Sequence, residues 1–200
     1  MDRDPFKEYL KETEPDKRSR SYLWSTAIGL QAVDGLRPSE YLLRTAAQNI
    51  EGKITIREAG KLIENYYQEH PVNPDEERTE EADKVSARIA EILSETAFSF
   101  SPNEYLSIHR RLFRGIYRHA GKIRDYNITK REWVLDGDSV LYGSVSELRA
   151  TLEYDFSIEK NLATKGFLWM KSSTTLQFLF QDYGRYMYLV KGIRGQLQSF

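Results

Sequence analysis

The chain has 200 residues, 30 acidic and 29 basic side chains and a formal net charge of −1, so it can bury one sizeable core and carries no overall basic excess for a nucleic-acid partner. It has no Cys, which excludes a disulfide framework, a thiol nucleophile and a Cys-ligated zinc site. No apolar run approaches membrane-spanning length and residues 1–17 are charged throughout, so the expectation is a cytoplasmic chain with no nucleic-acid and no membrane partner.

In chain order, Tyr22–Leu30 is mostly apolar and helix-compatible, and the run Asp34-Gly35-Leu36-Arg37-Pro38-Ser39 punctuates it as a turn. Ser39 is placed to cap a helix over residues 40–50, which Glu51-Gly52-Lys53 would end. Thr55-Ile56-Arg57-Glu58 is a capping-box pattern, and Ala59, Leu62, Ile63 and Tyr66 then fall at helical spacing to about Glu69. His70-Pro71-Val72-Asn73-Pro74 breaks the chain. The acidic run from Asp75 reads as a solvated connection, followed by a helix marked by Val85, Ile89, Ile92 and Leu93. Ser101-Pro102 opens the next helix, with Tyr105, Ile108, Leu112, Phe113 and Ile116 on its core face and Gly121 closing it. Trp133-Val134-Leu135 and Val140-Leu141-Tyr142 are β-prone and flank Asp136-Gly137-Asp138, a hairpin signal. Residues 144–162 return to helix, capped by Ser144 or Ser146. The pattern predicts an all-α body with one short hairpin, and a faint echo between Val33-Asp34-Gly35 and Ile50-Glu51-Gly52.

Composition changes abruptly after residue 162. Residues 163–200 hold one acid and five bases, leaving the tail at +4 and the body at −5. The same 38-residue stretch carries 8 of the 25 aromatic residues, a different composition from the segment before it.

Searches for chemistry find little in isolated residues. His70, His109 and His119 have no metal-ligand spacing, and His109 reads as a partly exposed helical residue beside Arg110 and Arg111. His119 reads as a residue near a helix end, where the dipole favours a cation.

A longer pattern is more informative. Ile108-His109-Arg110-Arg111-Leu112-Phe113, then Ile116-Tyr117, then Ala120-Gly121-Lys122-Ile123-Arg124, resembles the segment of Fic-domain proteins that leads into their flap. The resemblance implies an all-α Fic-type helical fold, here incomplete, with one short β-hairpin flap. That flap would comprise Trp133, Val134, Leu135, Val140, Leu141 and Tyr142, and would dock a target protein by strand-like pairing. Residues 1–70 resemble the helical antitoxin that represses Fic toxins, fused here to a Fic segment over residues 71–162. Family membership implies transfer of AMP from ATP to a hydroxyl of a target protein, with ATP and Mg²⁺ expected in an intact relative.

The family's catalytic motif is H-x-F-x-D/E-G-N-x-R. Its His acts as general base, its carboxylate holds Mg²⁺, and its Gly-Asn backbone and Arg cradle phosphates. Residues 163–200 contain no such motif. The resemblance therefore implies a chain without catalytic residues, metal ligands or a cofactor of its own, and predicts no activity. The alternative is a non-catalytic interaction or regulatory remnant.

A shifted reading frame accounts for the missing motif. Regrouping the last base of each codon with the first two of the next forces Val under Met187-Tyr188. Elsewhere codon degeneracy permits H-V-F-G-E-G-N-T-R under residues 186–195, in the position the family requires. One base lost, or two gained, near codons 163–168 would then make the tail an aberrant out-of-frame segment. The other reading is a basic, aromatic binding tail, although Leu176-Gln177-Phe178-Leu179-Phe180 looks more like an aggregation-prone strand. Without the catalytic half, the apolar faces of residues 105–117 and 147–156 would be left uncovered.

Repressed Fic proteins carry an inhibitory helix of pattern S/T-x-x-x-E-G/N. By resemblance its counterpart is Leu30-Gln31-Ala32-Val33-Asp34-Gly35, with Asp34 for Glu and Leu30 for the hydroxyl residue. A second register, Ala47-Gln48-Asn49-Ile50-Glu51-Gly52, keeps Glu but also lacks the hydroxyl. On its own chemistry, Asp34 before Gly35 is equally a helix-ending turn.

Overall fold

The structure is a computed structural model that describes residues 4–71, 77–97, 99–127, 129–131, 139–141 and 144–166. In order these form a 3₁₀ turn (Tyr9–Lys11), α1 (Pro15–Val33), α2 (Glu40–Ile50), α3 (Ile56–Glu69), α4 (Glu77–Leu93), α5 (Pro102–Phe113), β1 (Thr129–Arg131), β2 (Ser139–Leu141) and α6 (Leu148–Gly166). The described part is mostly helical. Two compact units divide the chain, one of Met1–Phe98 with Ser107–Gly121 and the other of Ser99–Leu106 with Lys122–Phe200. Helices on either side of residue 70 thus share a unit, and α5 runs from one unit into the other.

Local chemistry sets the helix starts in the first unit. Ser39 Oγ accepts the Leu42 N–H at 3.1 Å, and Thr55 with Glu58 completes a reciprocal capping box at the head of α3. Thr55's backbone N–H and then its hydroxyl, both donating to Glu58, hold that carboxyl below its usual range. Pro15 opens α1, where its missing N–H is no loss.

Around these starts, α1 packs on α2 and α4, and α3 packs on α2 and α4. On α1, Ser21, Trp24, Ala27, Ile28 and Gln31 form one buried stripe; on α3 the stripe is Ala59, Ile63 and Tyr67. α4 is different. Ala82, Asp83, Val85, Ser86, Ala87, Ile89, Ala90 and Ile92 are all buried, as a helix surrounded by others requires. Here the structure corrects the reading of the acidic run as a solvated connection. Glu77–Glu81 already belong to α4, and both Glu81 and Asp83 are buried, because the helical repeat that buries Val85 and Ala87 buries the residues one turn earlier.

The buried acid is fully occupied. Asp83 accepts the Ser39 N–H at 2.8 Å, the Tyr67 hydroxyl at 2.8 Å and the Ser39 hydroxyl. It therefore joins the start of α2 and the end of α3 to the middle of α4. A second seam runs beside it. Glu64 of α3 pairs with Arg88 at 2.5 Å and with Lys84 at 3.5 Å, and Arg88 Nη1 donates to the Leu112 carbonyl at 2.7 Å. That contact satisfies one of the orphan carbonyls at the end of α5.

The apolar faces expected to lie bare after loss of a catalytic half are only partly so. Tyr105, Ile108, Leu112, Phe113 and Leu152 are buried, whereas Tyr154 and Ile158 of α6 are exposed. Within the second unit, Phe156 of α6 packs on Phe100 with ring centroids 4.6 Å apart and meets Tyr105 at 6.2 Å. Burial pushes the Tyr105 hydroxyl up to about 12.

Replacing Asp83 by Ala strands the half-buried Ser39 and buried Tyr67 donors, and the expected loss is roughly 3 kcal/mol in urea unfolding. Asp83→Asn tests its ionisation. Burial raises the Asp83 carboxyl above its usual value, so the folded chain takes up a proton at a pH where the unfolded chain does not. The wild type should accordingly gain stability relative to Asp83→Asn as pH falls from neutrality toward the ordinary carboxylate range.

Candidate functional site

The residues singled out in the sequence lie in separate places. Asp34 and Gly35 end α1 in the first unit. Val140 and Leu141 lie on β2 in the second, while Trp133, Val134, Leu135 and Tyr142 fall outside the described residues, as does the 163–200 tail beyond Gly166.

Asp34 is the C-cap of α1 and Gly35 follows in the left-handed region at φ 69°. The Gly35 N–H donates to the Ala32 carbonyl at 2.9 Å and the Leu36 N–H to that of Gln31 at 3.1 Å. These are the two bonds of a Schellman stop, and the buried Leu36 supplies its apolar contact. The Asp34 carbonyl also accepts a hydrogen bond from Arg78 of α4 at 3.1 Å.

The second register has the same geometry. Glu51 caps α2, Gly52 has φ 78°, the Gly52 N–H reaches the Asn49 carbonyl at 3.0 Å and the Lys53 N–H that of Gln48 at 2.9 Å. The echo in the sequence is thus one stop signal used twice. Glu51's carboxylate is held by Lys53 at 2.5 Å and by the Tyr9 hydroxyl at 3.0 Å, and these bonds keep it below the usual carboxylate range.

A cavity of about 380 Å³ opens beside this second stop, lined by Arg20, Leu23, Gly52, Ile54, Ile56 and Ser94 among others. Arg20 Nε donates to the Ile50 carbonyl at 3.0 Å. Beneath it, buried Trp24 donates through Nε1 to Asn49 at 3.0 Å, and Asn49 donates to the Ile54 carbonyl at 2.9 Å. Of the charged groups in its wall, Arg20 is bonded to Ile50, Lys53 to Glu51 and Glu58 to Thr55, so each is engaged in holding a helix end.

The segment that carries the family resemblance differs from expectation at both of its histidines. α5 ends at Phe113, where Gly115 at φ 75° stops it, rather than continuing to Gly121. His109, whose sequence neighbours suggest partial exposure, is buried at 4% exposure. It lies one turn before Leu112 and Phe113, on the face that they bury. Its Nδ1 accepts the Gly121 N–H at 2.7 Å, and since a backbone N–H can only donate, the ring proton sits on Nε2. That Nε2 is buried without a partner among the described residues. Desolvation, then the nearby His119, lowers the His109 ring to about 4.

His119 itself lies well past the helix end. It stacks on Tyr117 with centroids 5.3 Å apart and an interplanar angle of 10°, and Tyr117 donates to Glu81 at 2.7 Å. Arg111 forms a two-bond pair with Glu95, one of them at 2.9 Å. The sequence offers one signal for the buried histidine, its i+3 and i+4 relation to Leu112 and Phe113.

In the second unit, β1 and β2 pair antiparallel with Thr129 opposite Leu141, Lys130 opposite Val140 and Arg131 opposite Ser139. The partners of Val140 and Leu141 are therefore residues 129 and 130, not the 133–135 run. Below the strands, the Val145 N–H donates to Asn127 Oδ1 at 2.9 Å, tying together the segments that flank them. No group of three or more His, Asp or Glu suited to a metal occurs among the described residues, and no helix there is long and apolar enough to cross a membrane.

In comparisons with known proteins, no family model, no curated protein and no solved structure matches the chain.

Two substitutions contrast a glycine that its backbone conformation requires with one that it does not. Gly52→Ala forces a side chain into positive φ with its Cβ 3.4 Å from Arg20 Nη2, and should cost about 1–2 kcal/mol. Gly29→Ala, mid-helix in α1 with nothing within 4 Å of the new Cβ, should instead stabilise by about 0.5–1 kcal/mol. Thermal melts of the two variants should move in opposite directions.

Proposed function

We propose that the chain descends from Fic-type protein adenylyltransferases and does not itself transfer AMP. The observation that carries this reading is the shifted frame under residues 186–195, where the codons permit a complete H-V-F-G-E-G-N-T-R. Its position after the Ile108–Arg124 pattern and the β-prone runs is the order the family uses. The paired strands at residues 129–131 and 139–141 are compatible with a flap that docks an extended target segment, a mode in which main-chain hydrogen bonds supply affinity.

Loss of activity follows from the chemistry of the missing motif. Transfer of AMP needs a base at the attacking hydroxyl, a carboxylate-held Mg²⁺ and donors around the phosphates, all positioned together. Residues 1–200 carry no contiguous set of that kind. On this reading the N-terminal helices keep the architecture of an antitoxin-like module, and Asp34 occupies the place of the inhibitory acid. Its role at the end of α1 accounts for the residue without an inhibitory function, so the module is retained for structure.

The encoding DNA tests the proposal directly, since its shifted frame through codons 160–200 either spells the motif or does not. Incubated with labelled ATP, Mg²⁺ and cell lysate, the chain should label nothing above a no-protein control. A gene with one base inserted near codons 163–168 should restore labelling, and replacing the restored motif's His by Ala should abolish it. Labelling by the original chain would overturn the inactive assignment, and a silent restored chain would overturn the family assignment.

A further inference from the structure

We propose that His109 is a proton-operated latch on the turn that ends the first compact unit, holding Gly121 through its neutral ring and releasing it when the ring is protonated. The geometry fixes the sign. Nδ1 lies 2.7 Å from the Gly121 nitrogen and accepts its hydrogen. A protonated imidazole has two N–H groups and no acceptor, so Nδ1–H would then face N–H. The ring is 4% exposed, and water cannot easily replace the lost partner.

Gly121 is a sensitive place for such a contact. It has φ 73°, it is the last residue of the first unit, and the chain passes from it to Lys122 and on toward β1. Local bonds accompany the latch in this turn, such as the Ala120 N–H to the Tyr117 carbonyl at 3.2 Å, and the Tyr117 hydroxyl ties the turn to Glu81 at 2.7 Å. Among the described residues Nε2–H has no partner, and there the ring is held by Nδ1 alone among hydrogen bonds, with Phe113 beside it at 5.0 Å between centroids.

The groups facing the ring come from two elements. From the turn, His119 lies 6.2 Å away between centroids and Tyr117 stacks on His119; from α4, Glu81 accepts the Tyr117 hydroxyl. A positive charge on His119 would oppose a second one on His109. The latch therefore stays closed through the range in which an ordinary histidine titrates and opens only in stronger acid, near the value of about 4 that burial and His119 impose. Because the folded value lies below the unfolded one, the stabilisation is complete above about 6.5 and is lost as pH falls. The folding equilibrium drops by up to tenfold per pH unit between about 6.5 and 4 on this group's account.

Nitrogen-15 NMR on the full chain, titrated from pH 7.5 to 3.5, tests the proposal. The His109 ring should report an Nε2–H tautomer at neutral pH, titrate near 4, and share its midpoint with a shift of the Gly121 amide and a loss of that amide's protection relative to its intrinsic exchange rate. His119→Gln should raise the midpoint of both signals together. His109→Phe, if folded, should show a Gly121 amide already unprotected at pH 7, with exchange that follows the intrinsic rate as pH falls. A Gly121 amide that does not move with His109, or a His109 that titrates near 6.5 without affecting Gly121, would overturn the latch.

Discussion

A carboxylate inside a protein has to recover from protein donors the hydrogen bonds that water would have given it, and Asp83 sets that requirement at the centre of the first unit. Its donors are the Ser39 amide and hydroxyl and the Tyr67 hydroxyl, which belong to the head of α2 and the last turn of α3. Meeting the requirement fixes where α2 begins relative to α4 and how far α3 must run. The Ser39 hydroxyl has two duties, since it also accepts the Leu42 amide that starts α2. Helix capping and tertiary packing thus meet in one side chain. A shift of α4 by one residue would break the Asp83 bonds.

Much of this is legible in the sequence where the signal is local. Ser39, Thr55 with Glu58, Gly35 and Gly52 mark helix ends by their own stereochemistry, and α2 and α3 begin where those residues place them. What the sequence conceals is long-range. Glu81 and Asp83 lie in a run of acids whose composition suggests solvent, and only the neighbours that surround α4 bury them. His109 has Arg110 and Arg111 beside it and looks exposed by association, yet adjacent helical residues point about 100° apart, so Arg110 can be exposed while His109 is buried. Apolar spacing that continues to Ile116 points to Gly121 as the end of α5. Gly115 ends it sooner, since a left-handed residue stops a helix whatever pattern follows. The pairing of β2 with residues 129–131, ahead of the β-prone 133–135 run, likewise follows from register, which composition does not encode.

The flap and the catalytic motif rest on resemblance, which depends on order along the chain rather than on contacts. The pattern over Ile108–Arg124 is therefore informative as sequence alone, and its contacts speak to a different question, namely what each residue does in the fold. Ile108, His109, Leu112 and Phe113 are the buried positions, Gly121 is the partner of His109, and Arg111 is anchored by Glu95. These contacts account for several residues of the pattern through the fold itself, whatever chemistry the chain performs.

The net charge of −1 gains its meaning from the same division. The acids of the body include some that hold it together, Asp83 and Glu81 inside it and Glu64 and Glu95 as partners of arginines. After residue 162 the balance is different, with five bases to a single acid, Asp182. A tail selected together with the body would be expected to share its logic of paired charges and helical spacing, whereas codons read one base out of step keep neither. Base composition is preserved by such a shift, but side-chain chemistry is not, because the second codon position largely sets polarity and a shift exchanges it for another. The abrupt change in charge and aromatic content at residue 163 is what such an exchange would produce.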